Sequence, residues 1–75
     1  MKDLVEYIVK SIVDKPEDVT VIEELDEEKT VLKLRVSPED MGKVIGKQGK
    51  VARAIRTLLK VLSIKEGKRV ILEIG

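Results

Sequence analysis

Val44-Ile45-Gly46-Lys47-Gln48-Gly49-Lys50 is the stretch around which the rest of this 75-residue sequence can be organised. Two glycines flank two polar residues, and a helical pattern lies on each side. Ser37-Pro38-Glu39-Asp40 is a helix start. Ser37 can cap, the φ of Pro38 is preset for the first helical position, and Asp40 places a carboxylate near the positive end. Met41, Val44 and Ile45 make the apolar side of a short helix that ends before Gly46. A second helix is expected from near Gly49 to about Ser63. Val51, Ala54, Ile55, Leu58, Leu59 and Leu62 fall within one arc of it, at about 100° per residue. Lys50, Arg53, Arg56 and Lys60 fall on the opposite side.

The loop chemistry follows from these residue types. Gly46 can take a positive φ and end the first helix. Gly49 leaves no Cβ between the backbone and anything approaching the turn. The next helix presents free N–H groups and a partial positive charge at its N-terminus. Lys47 and Lys50 add full charges. Backbone, dipole and two ammonium groups together make a phosphate cradle. In this reading the glycines absorb the backbone strain, so Lys47 and Gln48 need no positive φ. Other glycine loops fit badly. Gly42 with Gly46-Lys47 is one residue short of a Walker A loop, and Gln48 stands where the magnesium-binding Ser or Thr belongs. Gly42, Gly46 and Gly49 do not match Gly-x-Gly-x-x-Gly, and no strand runs into the loop.

Outward from the loop, Thr30 to Val36 alternates as a strand. Leu32, Leu34 and Val36 lie on one face; Val31, Lys33 and Arg35 lie on the other. Residues 18–25 are β-branched and read as its hairpin partner, joined through Asp26-Glu27-Glu28-Lys29. Leu4, Val5, Ile8, Val9 and Ile12 give an amphipathic helix over residues 2–14, stopped by Pro16. Tyr7 and Val13 sit at the margins of its apolar face. Arg69 to Ile74 reads as a last strand. The expected fold is α+β in the order α-β-β-α-α-β, a three-stranded sheet with three helices on one face, forming one domain over residues 1–75.

Composition narrows the chemistry. The sequence contains no Cys and no His, which removes disulfides, thiolate or imidazole metal sites and His-based nucleophile pairs. No catalytic residue, metal or cofactor is expected. Tyr7 is the only aromatic residue, so stacking of successive bases is not the binding mode. Residues 1–41 carry six bases and twelve acids, a net of −6, whereas residues 42–75 carry nine bases and two acids, a net of +7. The basic half is a candidate anion-binding face. The acidic run from Glu23 to Glu28 lacks the spacing and glycine of a calcium loop and reads as a solvated hairpin tip. Charges among the first six residues do not suit a signal peptide, and no apolar run is long enough to span a membrane. A cytoplasmic protein is expected.

Val44-Ile45-Gly46-Lys47-Gln48-Gly49 resembles the signature of KH domains, whose Gly-x-x-Gly loop joins two helices and clamps about four nucleotides by their backbone. The element order resembles the type II, prokaryotic arrangement. The length, and the run from Gly46 to Leu58, resemble the small stand-alone bacterial KH proteins of the KhpA type. The resemblance implies a groove for single-stranded RNA. Gly46, Lys47, Gln48 and Gly49 would hold phosphates, Ile45 would floor the groove, and Lys50 and Arg53 would extend its positive wall. Val70 to Leu72 would form the opposite wall. Ala52 departs from the bulky aliphatic residue common at that position, which implies a shallower groove on that side. Family members of this type associate with themselves and with a larger KH-containing protein, and act on many transcripts as post-transcriptional regulators or RNA chaperones. A second reading is a dimerisation or protein-interaction module with a KH-like fold and little RNA affinity. Nothing in the motif demands a 2′-hydroxyl, so single-stranded DNA stays open.

Overall fold

Alternation between apolar and polar residues builds three strands in the computed structural model, which describes residues 1–75: β1 (Thr20–Leu25), β2 (Lys29–Arg35) and β3 (Arg69–Ile74). They lie in the order β1-β2-β3. β1 and β2 are an antiparallel hairpin, with Thr20 opposite Arg35 and Leu25 opposite Thr30. β3 runs parallel to β2, with Leu32 opposite Leu72 and Leu34 opposite Ile74. A parallel pair needs a long crossover. That crossover carries α2 (Met41–Ile45), the glycine loop and α3 (Lys50–Glu66), so the topology itself places the loop beyond the end of the sheet. α1 (Lys2–Lys10) precedes the hairpin. The order is the α-β-β-α-α-β layout of the type II KH fold.

The sheet buries one face only. Val21, Leu32, Leu34 and Leu72 share the inner face and meet Val5 and Val9 of α1, Val44 of α2, and Ile55 and Leu59 of α3. Each such side chain contributes about 1.5–3 kcal/mol when withdrawn from water. The outer face carries Ile22, Val31 and Ile71 among charges, including a Lys33–Glu24 ion pair at 2.8 Å. The hydrogen bond and charge of Glu24 hold the Lys33 ammonium above its ordinary pKa.

α3 runs on to Glu66, past the expected end near Ser63, and three other boundaries differ from the sequence reading for identifiable reasons. α1 ends at Lys10, not residue 14. Ser11 Oγ donates to the Tyr7 carbonyl at 2.7 Å, and the amides of Asp14 and Lys15 turn away to the Asp40 side chain. Pro16 does more than stop a helix: Pro16–Asp18 form a 3₁₀ turn, which delays β1 to Thr20. Ser37 makes no side-chain cap. Its carbonyl accepts the Asp40 amide at 2.9 Å across the 3₁₀ turn Pro38–Asp40 that leads into α2.

The buried face of α3 is also rotated from expectation. Ala52, Ile55 and Leu59 are buried, Val51 and Leu62 are half-buried, and Ala54 and Leu58 face outward. A sheet of three strands covers a narrower arc than the six apolar residues occupy. Beyond α1, Val13 packs against the core, whereas Tyr7 on the helix projects into solvent with 73% of its surface exposed.

Candidate nucleic-acid interface

The turn between α2 and α3 is built from left-handed backbone. Gly46 has φ 77° and ψ 173°. A Cβ there would lie 2.5 Å from Val51 Cγ2 and 2.9 Å from the Val51 backbone nitrogen. Gly46 is therefore required twice, by its dihedral and by the start of α3 packed against it. Gly49 has φ 73° and ψ 16°, yet a Cβ would meet open space. The requirement at Gly49 is dihedral only. Between them the structure corrects the sequence reading: Gln48 itself adopts φ 56° and ψ 26°. The two glycines do not absorb all the strain, because the reversal needs consecutive left-handed residues before α3 can begin.

Hydrogen bonds then wind the loop onto itself. The Gly46 amide donates to the Gly42 carbonyl at 2.8 Å and the Gly49 amide to the Gly46 carbonyl at 3.1 Å. The Lys50 amide donates to the Lys47 carbonyl. The result throws the Lys47 and Gln48 side chains into solvent. Gly49 is the N-cap of α3 and supplies no side-chain oxygen to its first turn. A helix N-terminus without a side-chain cap, beside two lysines, favours an anion.

The expected site residues are contiguous from Ile45 to Lys50, with Arg53 one turn further along α3. Ile45, Gly46 and Gly49 are half-buried; Lys47, Gln48, Lys50 and Arg53 are exposed. Lys50 and Arg53, one turn apart on α3, line a shallow hollow of about 450 Å³ with Ala54, Thr57 and Leu58. Ala52, where the resemblance implied a shallower groove, is buried.

A larger cleft of about 490 Å³ lies between α3 and the free edge of β3. Leu59, Val70 and Leu72 form its apolar floor, and Arg56, Lys60 and Arg69 supply positive charge. Arg56 Nη2 lies 3.5 Å from the Leu72 carbonyl oxygen, reaching over the strand edge. Val70 to Leu72 line this cleft, but none of Ile45 to Lys50, nor Arg53, does, so the structure sets the strand residues and the Lys50–Arg53 hollow on separate surfaces of α3. Arg56, Lys60 and Arg69 were not among the expected site residues. The first two belong to the basic arc of α3 and could have been included. Arg69 enters only because β3 pairs beside that helix.

The entry to α2 holds one further feature that sequence reasoning missed. Asp40 is 1% exposed. Its Oδ1 accepts the Asp14 amide at 3.1 Å and its Oδ2 accepts the Lys15 amide at 2.9 Å. Burial pushes the carboxyl pKa up, but the two amides, with Lys43 and Lys15 nearby, outweigh it, so the group lies below the ordinary carboxylate range. Lys43 is hydrogen-bonded to the Asp14 carboxylate, which holds its ammonium above the ordinary value. No cluster of carboxylates suited to a metal ion is formed. The arrangement offers a positive, partly apolar surface with backbone geometry suited to a phosphate.

Comparison with known proteins gives the family. Residues 2–74 match the family described as "KhpA/KhpB, KH domain". The chain is 66% identical over 74 residues to the RNA-binding protein KhpA of Clostridium perfringens, covering 99% of both chains. It is 57% identical over 74 residues to the protein of the same name from Clostridium acetobutylicum, again covering 99% of both. To that of Aquifex aeolicus it is 51% identical over 74 residues, covering 99% of this chain and 94% of the relative. No solved structure matches it significantly. A glycine loop between two short-linked helices, a type II element order and a family match along nearly the whole length lead to one conclusion: the chain belongs to the KhpA/KhpB family of KH domains.

Proposed function

We propose that residues 1–75 act as one KH domain that binds single-stranded RNA and carries no enzymatic activity. Gly46, Lys47, Gln48 and Gly49 hold backbone phosphates, Ile45 floors the groove, and Lys50 and Arg53 form its positive wall. The α3–β3 cleft continues the groove, with Arg56 as an additional wall residue. The observation that carries this reading is the left-handed loop feeding an α3 N-terminus that has no side-chain cap. The curated relatives' name, RNA-binding protein KhpA, supports the choice of ligand. A role as a post-transcriptional regulator or RNA chaperone in the cytoplasm fits the same reading, and no helix is long and apolar enough to cross a membrane.

The test is a titration with short single-stranded RNA and DNA oligomers at several salt concentrations. Contact with about three to five phosphates gives a log–log slope of roughly −2 to −3.5 for single strands. A slope near zero overturns the assignment of the basic face.

A second reading rests on a separate observation. Leu58, Val61 and Ile64 of α3 are 50%, 51% and 74% exposed; Leu58 also borders the Lys50–Arg53 hollow and Ile64 the α3–β3 cleft. We infer that this stripe supports association with a second copy or with a larger KH-containing protein. Leu58→Glu with Val61→Glu should leave a monomer in sedimentation if it does; an unchanged sedimentation coefficient rejects it.

A further inference from the structure

Asp40 is the one charged side chain that the fold buries. Its two oxygens are both used, and both partners are backbone amides of the segment leaving α1, 26 and 25 residues away in sequence. Two ion pairs join the same segments from outside: Lys43 to Asp14, and Lys15 to Glu39 at 3.2 Å. Residues 14–15 and 39–43 are therefore locked together by a buried carboxylate and two surface bridges. The locked element is α2, five residues long, which ends directly in Gly46. A helix that short has no stability of its own and takes its position from what it is attached to. Val44 attaches one side of α2 to the core, and Asp40 attaches its beginning.

Resting on the RNA reading above, we propose that Asp40 is a positioning residue for the glycine loop. Its carboxylate fixes the start of α2 against the chain leaving α1 and so sets where Gly46-Lys47-Gln48-Gly49 meets the phosphates. Asp40 itself touches no RNA. The charge of Asp40 makes the proposal testable by sign. Removing a negative charge from a polyanion-binding protein should tighten RNA binding if charge alone matters. Loss of the clamp should weaken it.

The experiment compares the parent, Asp40→Asn, and the loop variant Lys47→Asp/Gln48→Asp, with a short single-stranded RNA of mixed sequence as the probe. It is run at a temperature where circular dichroism shows each protein folded. Asn keeps one acceptor oxygen and turns an NH₂ toward the other amide. Asp40→Asn is expected to bind RNA roughly three- to thirtyfold more weakly, the range for changes within a coupled network. Val9→Ala, a core change on α1, controls for lost stability and should leave the affinity of the folded protein unchanged. Equal or tighter binding by Asp40→Asn, with binding lost in the loop variant, overturns the clamp and leaves the site reading standing. A loop variant that binds like the parent overturns both.

Hydrogen exchange in the parent gives a readout that needs no variant. Coupling is reciprocal, so saturating RNA should slow exchange of the Asp14 and Lys15 amides although neither lies in the groove. Unchanged exchange at both amides overturns the proposal, including in the case where Asp40→Asn does not fold.

Discussion

Two of the protein's tight turns, the β1–β2 hairpin and the glycine loop, solve the same geometric problem in opposite ways. The hairpin turn at Asp26-Glu27-Glu28 closes with its own side chain: the Glu28 amide donates to Asp26 Oδ1 at 3.1 Å, and the Asp26 amide to the Lys29 carbonyl at 3.0 Å. It is acidic and needs no positive φ. The turn at Gly46–Gly49 closes by backbone alone, with left-handed residues at 46, 48 and 49, and it is basic. A turn that satisfies itself with a carboxylate has little left to offer a ligand. A turn that closes through backbone conformation leaves its side chains and the start of the next helix free. The contrast is the reason the proposed phosphate contacts are put at the strained turn rather than at the relaxed one.

Reversing the charge of the glycine loop should have the largest effect. Lys47→Asp with Gln48→Asp puts two carboxylates where phosphates are expected, turning the basic turn into a copy of the acidic one. Asp is among the residues that tolerate left-handed backbone, so the φ of 56° at position 48 is not an obstacle. RNA binding in a filter or anisotropy assay should fall to background, because like charges at an interface cost several kcal/mol. The melting temperature should stay within about 5 °C, a shift of roughly 1 kcal/mol in a domain of this size. RNA binding at parental strength would reduce the loop to a structural turn.

Next in size is the difference between the two glycines. Gly46→Ala meets both a glycine-only dihedral and the Val51 backbone nitrogen, so unfolding in urea should show a loss of about 3 kcal/mol or more. Gly49→Ala meets open space and should lose only about 1–2 kcal/mol, the left-handed penalty alone. Equal losses would mean that contact with Val51 contributes nothing and that the glycines serve φ only.

Much of this could be read in advance. β2 alternates cleanly because one sheet face is solvated, and the Gly-x-x-Gly spacing announces a turn between helices whatever surrounds it. Gln48 could not be read. Which residues of a short reversal become left-handed depends on how α2 and α3 must dock, and no side-chain type at position 48 signals it. Asp40 looked like a helix-start carboxylate because its real partners are amides about 25 residues earlier, and amides carry no sequence signature. The rotation of α3 was hidden for a different reason. Leu58, Val61 and Ile64 are as apolar as the residues that do reach the core, so periodicity alone cannot say which apolar side chains a small sheet leaves outside.

The smallest effect belongs to the hairpin turn. Asp26→Ala removes the acceptor of the Glu28 amide and one negative charge. The amide is exposed and can turn to water, so the loss of stability should be about 0.5–1 kcal/mol. Its effect on RNA is informative because of where the turn lies. Lys68 Nζ donates to the Asp26 carbonyl at 3.3 Å, and the Arg69 amide to the Glu28 carbonyl at 3.4 Å, so the hairpin tip sits by the C-terminal end of α3. The glycine loop sits at the other end, across 17 helical residues, or about 25 Å at 1.5 Å each. That separation is about three Debye lengths at physiological salt. If phosphates are gripped at the glycine loop, RNA affinity should change less than about twofold at that salt. A clear tightening would show instead that the strand runs the full length of the α3–β3 cleft, past Lys60 and Arg69, until it meets the acidic tip. The acidic turn would then be a brake on the far end of the groove, and the two turns would share one ligand.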